Sequence, residues 1–249
     1  NKLYFVECDI RTHLTHKVQE ARPGKYPEDK YLQYDSKGNK TVWCGPDTKE
    51  LSISAIRKTF AHQLTKGSGI WWFDMWGGWY HDEEIMAELS KMKQIYDLTK
   101  NKNTDGLLPT EVVLFIDEKA YANTPSDSPL LHSVNHHRIA MSHSGIPYDM
   151  CLVEDAEKVV HKYKFAIFTA GKPTKNGKKA IELYKEKLIP FIECTEEKPF
   201  FHTDELRDLL IDSGVHCYNA DGAVFYCGTG FIGIHTVADG ETKITLPRS

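Results

Sequence analysis

Residues 69–80 read GIWWFDMWGGWY and hold four of the chain's five tryptophans, one aspartate and a glycine pair. The apolar, aromatic run GIWWFD (69–74) reads as a buried strand, and the glycines after it read as a turn. Asp82, followed by Glu83 and Glu84, then opens a helix whose Ile85, Leu89, Met92, Ile95 and Tyr96 form one face. Upstream, residues 49–65 carry Leu51, Ile53, Ile56, Phe60 and Leu64 near helical spacing and stop at Gly67 and Gly69. Further upstream, KLYFVEC (2–8) is a second buried strand that ends on charge at Glu7 and Asp9. Strand, helix, strand, helix implies parallel strands joined by helical crossovers.

A polar stretch with glycine and proline, NKNTDGLLP (101–109), marks a domain boundary, and beyond it a fresh alternation begins. Strands are expected at 112–117, 148–155, 165–171 and 191–194, with helices at 130–145 and 176–188. That pattern predicts a small doubly wound α/β domain, flavodoxin-like in outline. The tail offers a helix at 203–214 and short strands punctuated by Asp-Gly at 221–222 and 239–240. The expected divisions are 1–105, 106–200 and 201–249. The stretch from Arg11 to Asp47 is long, polar and rich in glycine and proline, and its Tyr26, Tyr31, Tyr34 and Trp43 would suit the rim of a cleft.

Composition is that of a globular protein: 41% hydrophobic and 27% charged residues, with a formal net charge of −4. No block of like charge points to nucleic acid or an anionic membrane, and no apolar run nears a membrane span. The six cysteines, Cys8, Cys44, Cys151, Cys194, Cys217 and Cys227, form no C-x-x-C or zinc spacing. They read as free thiols in a reducing compartment, which favours the cytoplasm. The chain opens directly in an apolar run at Asn1, without methionine or leader, and reads as a cut piece of a longer protein.

Two motifs are decoys. GTGFIG (228–233) matches the dinucleotide pattern, but that chemistry needs a helix immediately afterwards to receive the pyrophosphate. IHTVADGETKITLP follows instead, so a hairpin is expected and no cofactor is assigned. His132 and His136 have the i, i+4 spacing of a metal pair, yet no carboxylate completes a set, and His137 and Arg138 read as a solvated face. No metal is expected.

The chemistry concentrates at the C-terminal ends of the first two strands, the usual place for it in βα repeats. The first offers Glu7, Asp9, Arg11 and His13 in VECDIRTH; the second offers Trp72, Asp74, Trp76 and Trp79. Carboxylates beside indole rings suit carbohydrate: flat C–H patches stack on tryptophan, hydroxyls take carboxylate and arginine partners, and a carboxylate can attack an oxocarbenium-like centre. Trp71, Phe73 and Met75, on the alternate face, are expected to pack against the helices.

VECDIRTH followed by GIWWFDMWGGWY resembles the last two βα units of a TIM-barrel glycoside hydrolase, closest to the β-galactosidase-like enzymes around glycoside hydrolase family 42. VVLFIDEKAY, SGIPYDMCLVED and KYKFAIFTAG look like the amidotransferase-related, flavodoxin-like trimerisation domain of that family, and FIGIHTVADGETKITLP resembles its closing β segment. The resemblance implies an α/β chain made of two TIM-barrel units, a flavodoxin-like domain and a short C-terminal β segment. It implies Glu7 as the nucleophile of a retaining enzyme, with Asp9, Arg11, His13, Trp72, Asp74, Trp76 and Trp79 binding a carbohydrate substrate. It also implies a homotrimer. The acid/base glutamate would lie upstream of Asn1, so the 249 residues alone should be inactive. The turn after FAIFTAG, KPTKNG, lacks the amidotransferase cysteine, so that domain reads as structural. The alternative reading is a non-catalytic carbohydrate-binding or oligomerisation module. A redox flavodoxin is weaker, since DEKAYANTPSDSP has three acidic side chains and no glycine where a phosphate loop belongs.

Overall fold

A computed structural model describes residues 4–15, 45–74, 77–100, 108–236 and 238–247. The chain divides into two compact units, Asn1–Asp105 and Gly106–Ser249. The expected break at 200/201 falls inside the second.

The first unit has strand β1 (Phe5–Cys8), helix α1 (Lys49–Thr65), strand β2 (Gly69–Trp72) and helix α2 (Glu83–Thr99). The strands are parallel, with Glu7 opposite Trp71 and Cys8 opposite Trp72. Both helices start where the sequence offers an acceptor. Thr48 takes the Leu51 N–H at 3.3 Å, and Asp82 takes those of Glu84 and Ile85 at 2.9 and 3.3 Å. One core joins them: Ile56 from α1, Ile85 and Met92 from α2, and Trp79 and Tyr80 from the segment between β2 and α2.

The second unit is a four-stranded, wholly parallel sheet in the order β4–β3–β5–β6. Its strands are β3 (Val112–Ile116), β4 (Tyr148–Leu152), β5 (Phe165–Phe168) and β6 (Phe191–Glu193). VVLFI and FAIF are apolar throughout because the sheet is buried on both faces. Val112, Leu114 and Ile167 face one core, shared with helices α4 (Ser133–Ser144) and α7 (Thr203–Asp212). Val113, Phe115, Ala166 and Phe168 face the other, with α5 (Ala156–Val159) and α6 (Lys175–Glu186). Leu206 and Leu210 of α7 are fully buried in the first core, so α7 belongs to the sheet and not to a separate tail. Gly145 ends α4 at φ +74, where an added Cβ would collide with the Asn219 carbonyl.

Three expectations change. The strand expected at 148–155 stops at Leu152, and Val153–Asp155 turns into a 3-10 helix. A short helix, α3 (Glu118–Ala122), occupies part of the expected loop because Asp117 caps it. His137 is fully buried: Ser133, His137, Met141 and Ser144 share the face of α4 that meets the core. The GTGFIG segment makes an antiparallel hairpin, β7 (Val224–Gly228) and β8 (Phe231–His235), turning through Thr229 and Gly230 at positive φ. Thr242 and Lys243 are tied back to Asn219, and Thr245 to the Tyr218 carbonyl.

Candidate functional site

Alternation in β1 and β2 sorts their side chains between two surfaces. Val6, Cys8, Ile70 and Trp72 turn toward the helices. Cys8 is buried, and desolvation pushes its thiol up to about 12. Trp72 packs at the edge of the core, with its ring edge-on to Tyr80 at 6.1 Å. Phe5, Glu7, Trp71 and Phe73 take the opposite, open surface. Trp71 is 49% exposed and meets Phe73 edge-to-face at 5.3 Å.

The aromatic beside Glu7 is therefore Trp71, which the sequence reading gave to the helices, and not Trp72. The physical reason is the register. Glu7 pairs with Trp71, and paired residues of parallel strands point the same way. Trp79 also differs from expectation. It has 0% exposure and forms the floor of the core, closed to a ligand in this structure. Trp76, Met75 and the aromatics of 16–44 lie outside the described residues.

Asp74 spends its carboxylate on the turn. Oδ1 accepts from the Gly77 N–H at 2.7 Å, and Oδ2 from the Trp79 N–H at 3.0 Å. The backbone there runs through φ +79 and +97, which the glycine pair allows. Tyr80 closes the strand ends: its hydroxyl donates to the Ile10 carbonyl at 3.1 Å, and burial raises its pKa.

The three strand-end carboxylates thus differ. Asp9 holds Arg11 in an ion pair at 2.6 Å, and the Arg11 guanidinium lies 5.0 Å from the centre of the Trp79 ring. Arg11 is directed by Asp9 and Trp79, where the sequence placed it among the sugar-binding side chains. His13 is tied to α1, with its N–H donating to Ser52 Oγ at 2.8 Å. Glu7 is exposed, and no described residue engages its carboxylate.

The second unit holds two arrangements that sequence reasoning missed. At the carboxyl end of its sheet, the connection after β3 leaves for one face and that after β5 for the other. This divergence is where ligands of open α/β sheets usually bind. Here Asp117 fills the crevice. Its Oδ1 accepts from the Ala120 N–H at 3.2 Å, and its Oδ2 accepts from the Thr174 N–H at 2.7 Å and hydroxyl at 2.9 Å. The space between Asp117, Pro173 and Ile181 has no room for a water molecule. The positive end of α6 is neutralised from inside the chain.

The other arrangement is Cys194 Sγ at 3.9 Å from His137 Nε2, while His137 Nδ1 donates to the Ser133 carbonyl at 2.8 Å. Burial raises the thiol to about 11 and lowers the imidazole, so both stay neutral and no thiolate forms at neutral pH. The only sequence signal was the i, i+4 repeat of Ser133, His137 and Met141. His136 stacks on Phe200 at 4.4 Å. Among the described residues no three His, Cys, Asp or Glu side chains cluster as a metal site requires, and no helix is long and apolar enough to cross a membrane.

No family model, no curated protein and no solved structure matches this chain. What stands on its own residues is a mixed α/β protein with a four-stranded parallel sheet and helices.

Proposed function

We propose that the chain is part of a retaining, β-galactosidase-like glycoside hydrolase, with Glu7 as the nucleophile and its partner acid supplied by polypeptide upstream. The observation that carries the reading is the pairing of Glu7 with Trp71. A carboxylate that no described residue engages and a half-exposed indole stand side by side at the end of two parallel strands. A sugar ring stacked on Trp71 would bring its anomeric carbon within reach of Glu7, while Asp9 and Arg11 offer partners for hydroxyls. Under this reading β1 and β2 are consecutive strands of a TIM barrel, with the open surface facing its interior. Residues 106–200 form the flavodoxin-like trimerisation domain, with residues 201–249 closing it. The sheet order supports a flavodoxin-like outline, and the filled crevice at Asp117 argues against a flavin or nucleotide.

The test is to express the chain with its upstream polypeptide and incubate it with a 2-deoxy-2-fluoro β-galactoside. A retaining enzyme is trapped as a covalent adduct, and peptide mapping should find the sugar on Glu7. An adduct on Asp9, or turnover by Glu7→Gln at the wild-type rate, would overturn the assignment. A non-catalytic sugar-binding module is the other reading, and it predicts binding without any adduct.

A further inference from the structure

The carboxyl end of the second unit's sheet holds a nucleophile next to a base. Cys194 directly follows β6, and its sulfur lies 3.9 Å from His137 Nε2. His137 Nδ1 donates to the Ser133 carbonyl at 2.8 Å, so Nε2 carries no proton and its lone pair meets the thiol. A histidine oriented on a cysteine in this way is the arrangement that activates a thiol. Both side chains are buried, and a buried thiol is inert while its cover stays in place.

The cover is one short segment. A 3-10 turn, Pro129–His132, runs between Ser128 and Ser133, and the Ser133 hydroxyl is bonded to the Cys194 thiol. Ser128 Oγ donates to the Glu196 carboxylate, 3.0 Å from each oxygen, and accepts the Leu130 N–H at 3.2 Å. Both ends of the turn are thus fastened at Cys194 or two residues beyond it, and the turn lies across the thiol. Leu130 is the plug. It is buried, and a Cβ on Gly171 would collide with its Cδ1, so the glycine is its socket. The carboxylate that latches the turn, Glu196, is exposed.

The main chain selects the chemistry. The Cys194 N–H donates to the Phe168 carbonyl at 2.9 Å, and the Thr195 N–H to the Lys198 carbonyl at 3.1 Å. Neither amide is free to hold an oxyanion, so acyl transfer lacks its main support. Attack on a disulfide keeps the developing charge on sulfur and needs no such donors.

We infer that Cys194 and His137 form a gated thiol site, which exchanges with a small disulfide when the Ser128–Leu130 plug lifts. The thiol proton passes to His137 Nε2, and the Cys194 sulfur attacks one sulfur of the disulfide. The S–S bond breaks, and the leaving thiolate takes the proton from His137. Cys194 is left as a mixed disulfide and one small thiol departs. The inference stands on the second unit alone and is independent of any chemistry at Glu7.

The probe is dithiodipyridine, a small aromatic disulfide, applied to the intact chain at neutral pH and mapped cysteine by cysteine by mass spectrometry. Cys227, 2% exposed in the same unit, is the control, because global unfolding frees both thiols and lifting the plug frees only one. Cys194 should be labelled at least about tenfold faster than Cys227, and dithiothreitol should remove the label. Gly171→Ala, which fills the socket, and Glu196→Ala, which removes the latch at an exposed position, should each widen that ratio about fivefold or more. Adding His137→Gln to Glu196→Ala should slow Cys194 about tenfold, because the uncovered thiol then keeps its proton at neutral pH. Three results would overturn the inference: equal labelling of Cys194 and Cys227, a ratio that neither Gly171→Ala nor Glu196→Ala moves, or labelling as fast without His137 as with it.

Discussion

Asp117 should be the costliest single carboxylate to remove from the second unit. It is 2% exposed and accepts three hydrogen bonds, one from the first turn of α3 and two from Thr174, the N-cap of α6. Losing the α3 cap costs about 1 kcal/mol. Losing two bonds to a buried charged acceptor, and orphaning the Thr174 N–H, costs about 2–3 kcal/mol more. Asp117→Ala should therefore destabilise the unit by about 3–4 kcal/mol, or roughly 6–16 °C in Tm for a unit of this size. Asp117→Asn keeps the shape and one acceptor and should lose about half as much. The chain supplies its own control: Trp43, Trp71, Trp72, Trp76 and Trp79 all lie in the first unit. Urea unfolding followed by tryptophan fluorescence reports that unit, while far-UV circular dichroism reports both. The dichroism transition of Asp117→Ala should split, with its early part shifted and the fluorescence midpoint unchanged. If Asp117→Ala unfolds within about 1 kcal/mol of wild type, the carboxylate is not the keystone of this crevice and a ligand role regains its place.

Four further outcomes are expected. Trp79→Ala should cost the first unit about 3–5 kcal/mol by urea unfolding, whereas Trp71→Ala should leave stability within about 1 kcal/mol and, in the catalytically complete polypeptide, lower kcat/KM by about 1–3 kcal/mol. Asp9→Asn should release Arg11 and reduce sugar affinity while leaving the fluoro-sugar adduct on Glu7, as mass spectrometry of the labelled peptide would reveal. His137 refuses a proton that the unfolded imidazole accepts at its ordinary 6.5, so its contribution is full above that pH and lost as pH falls below it; His137→Asn should flatten that part of the stability–pH curve. Light scattering across a wide concentration range should find trimers assembled through residues 106–200, and monomers throughout would refute that assembly.

What the sequence determined by itself was the kind and order of the elements. Short continuous apolar runs such as VVLFI and FAIF, bounded by polar and turn residues, read as buried strands. Asp82 marks a helix start through side-chain bonds made within three residues, and Gly145 a helix end through its left-handed backbone. Those interactions are local, so their pattern survives in one dimension. The glycine pair after Asp74 was likewise visible as a turn, and Glu7 as a carboxylate at a strand end. Which aromatic stands beside Glu7 was not visible. Trp71 and Trp72 are adjacent and chemically identical, and only the register of β1 against β2 sends one to the open surface and the other to the core. The same holds for the pairing of Arg11 with Asp9 and Trp79, for Asp117 reaching Thr174 across the sheet, and for Cys194 meeting His137. Each joins residues far apart in the chain or depends on a rotation of half a strand period. Such contacts are set by packing, which a linear pattern of polar and apolar residues does not encode.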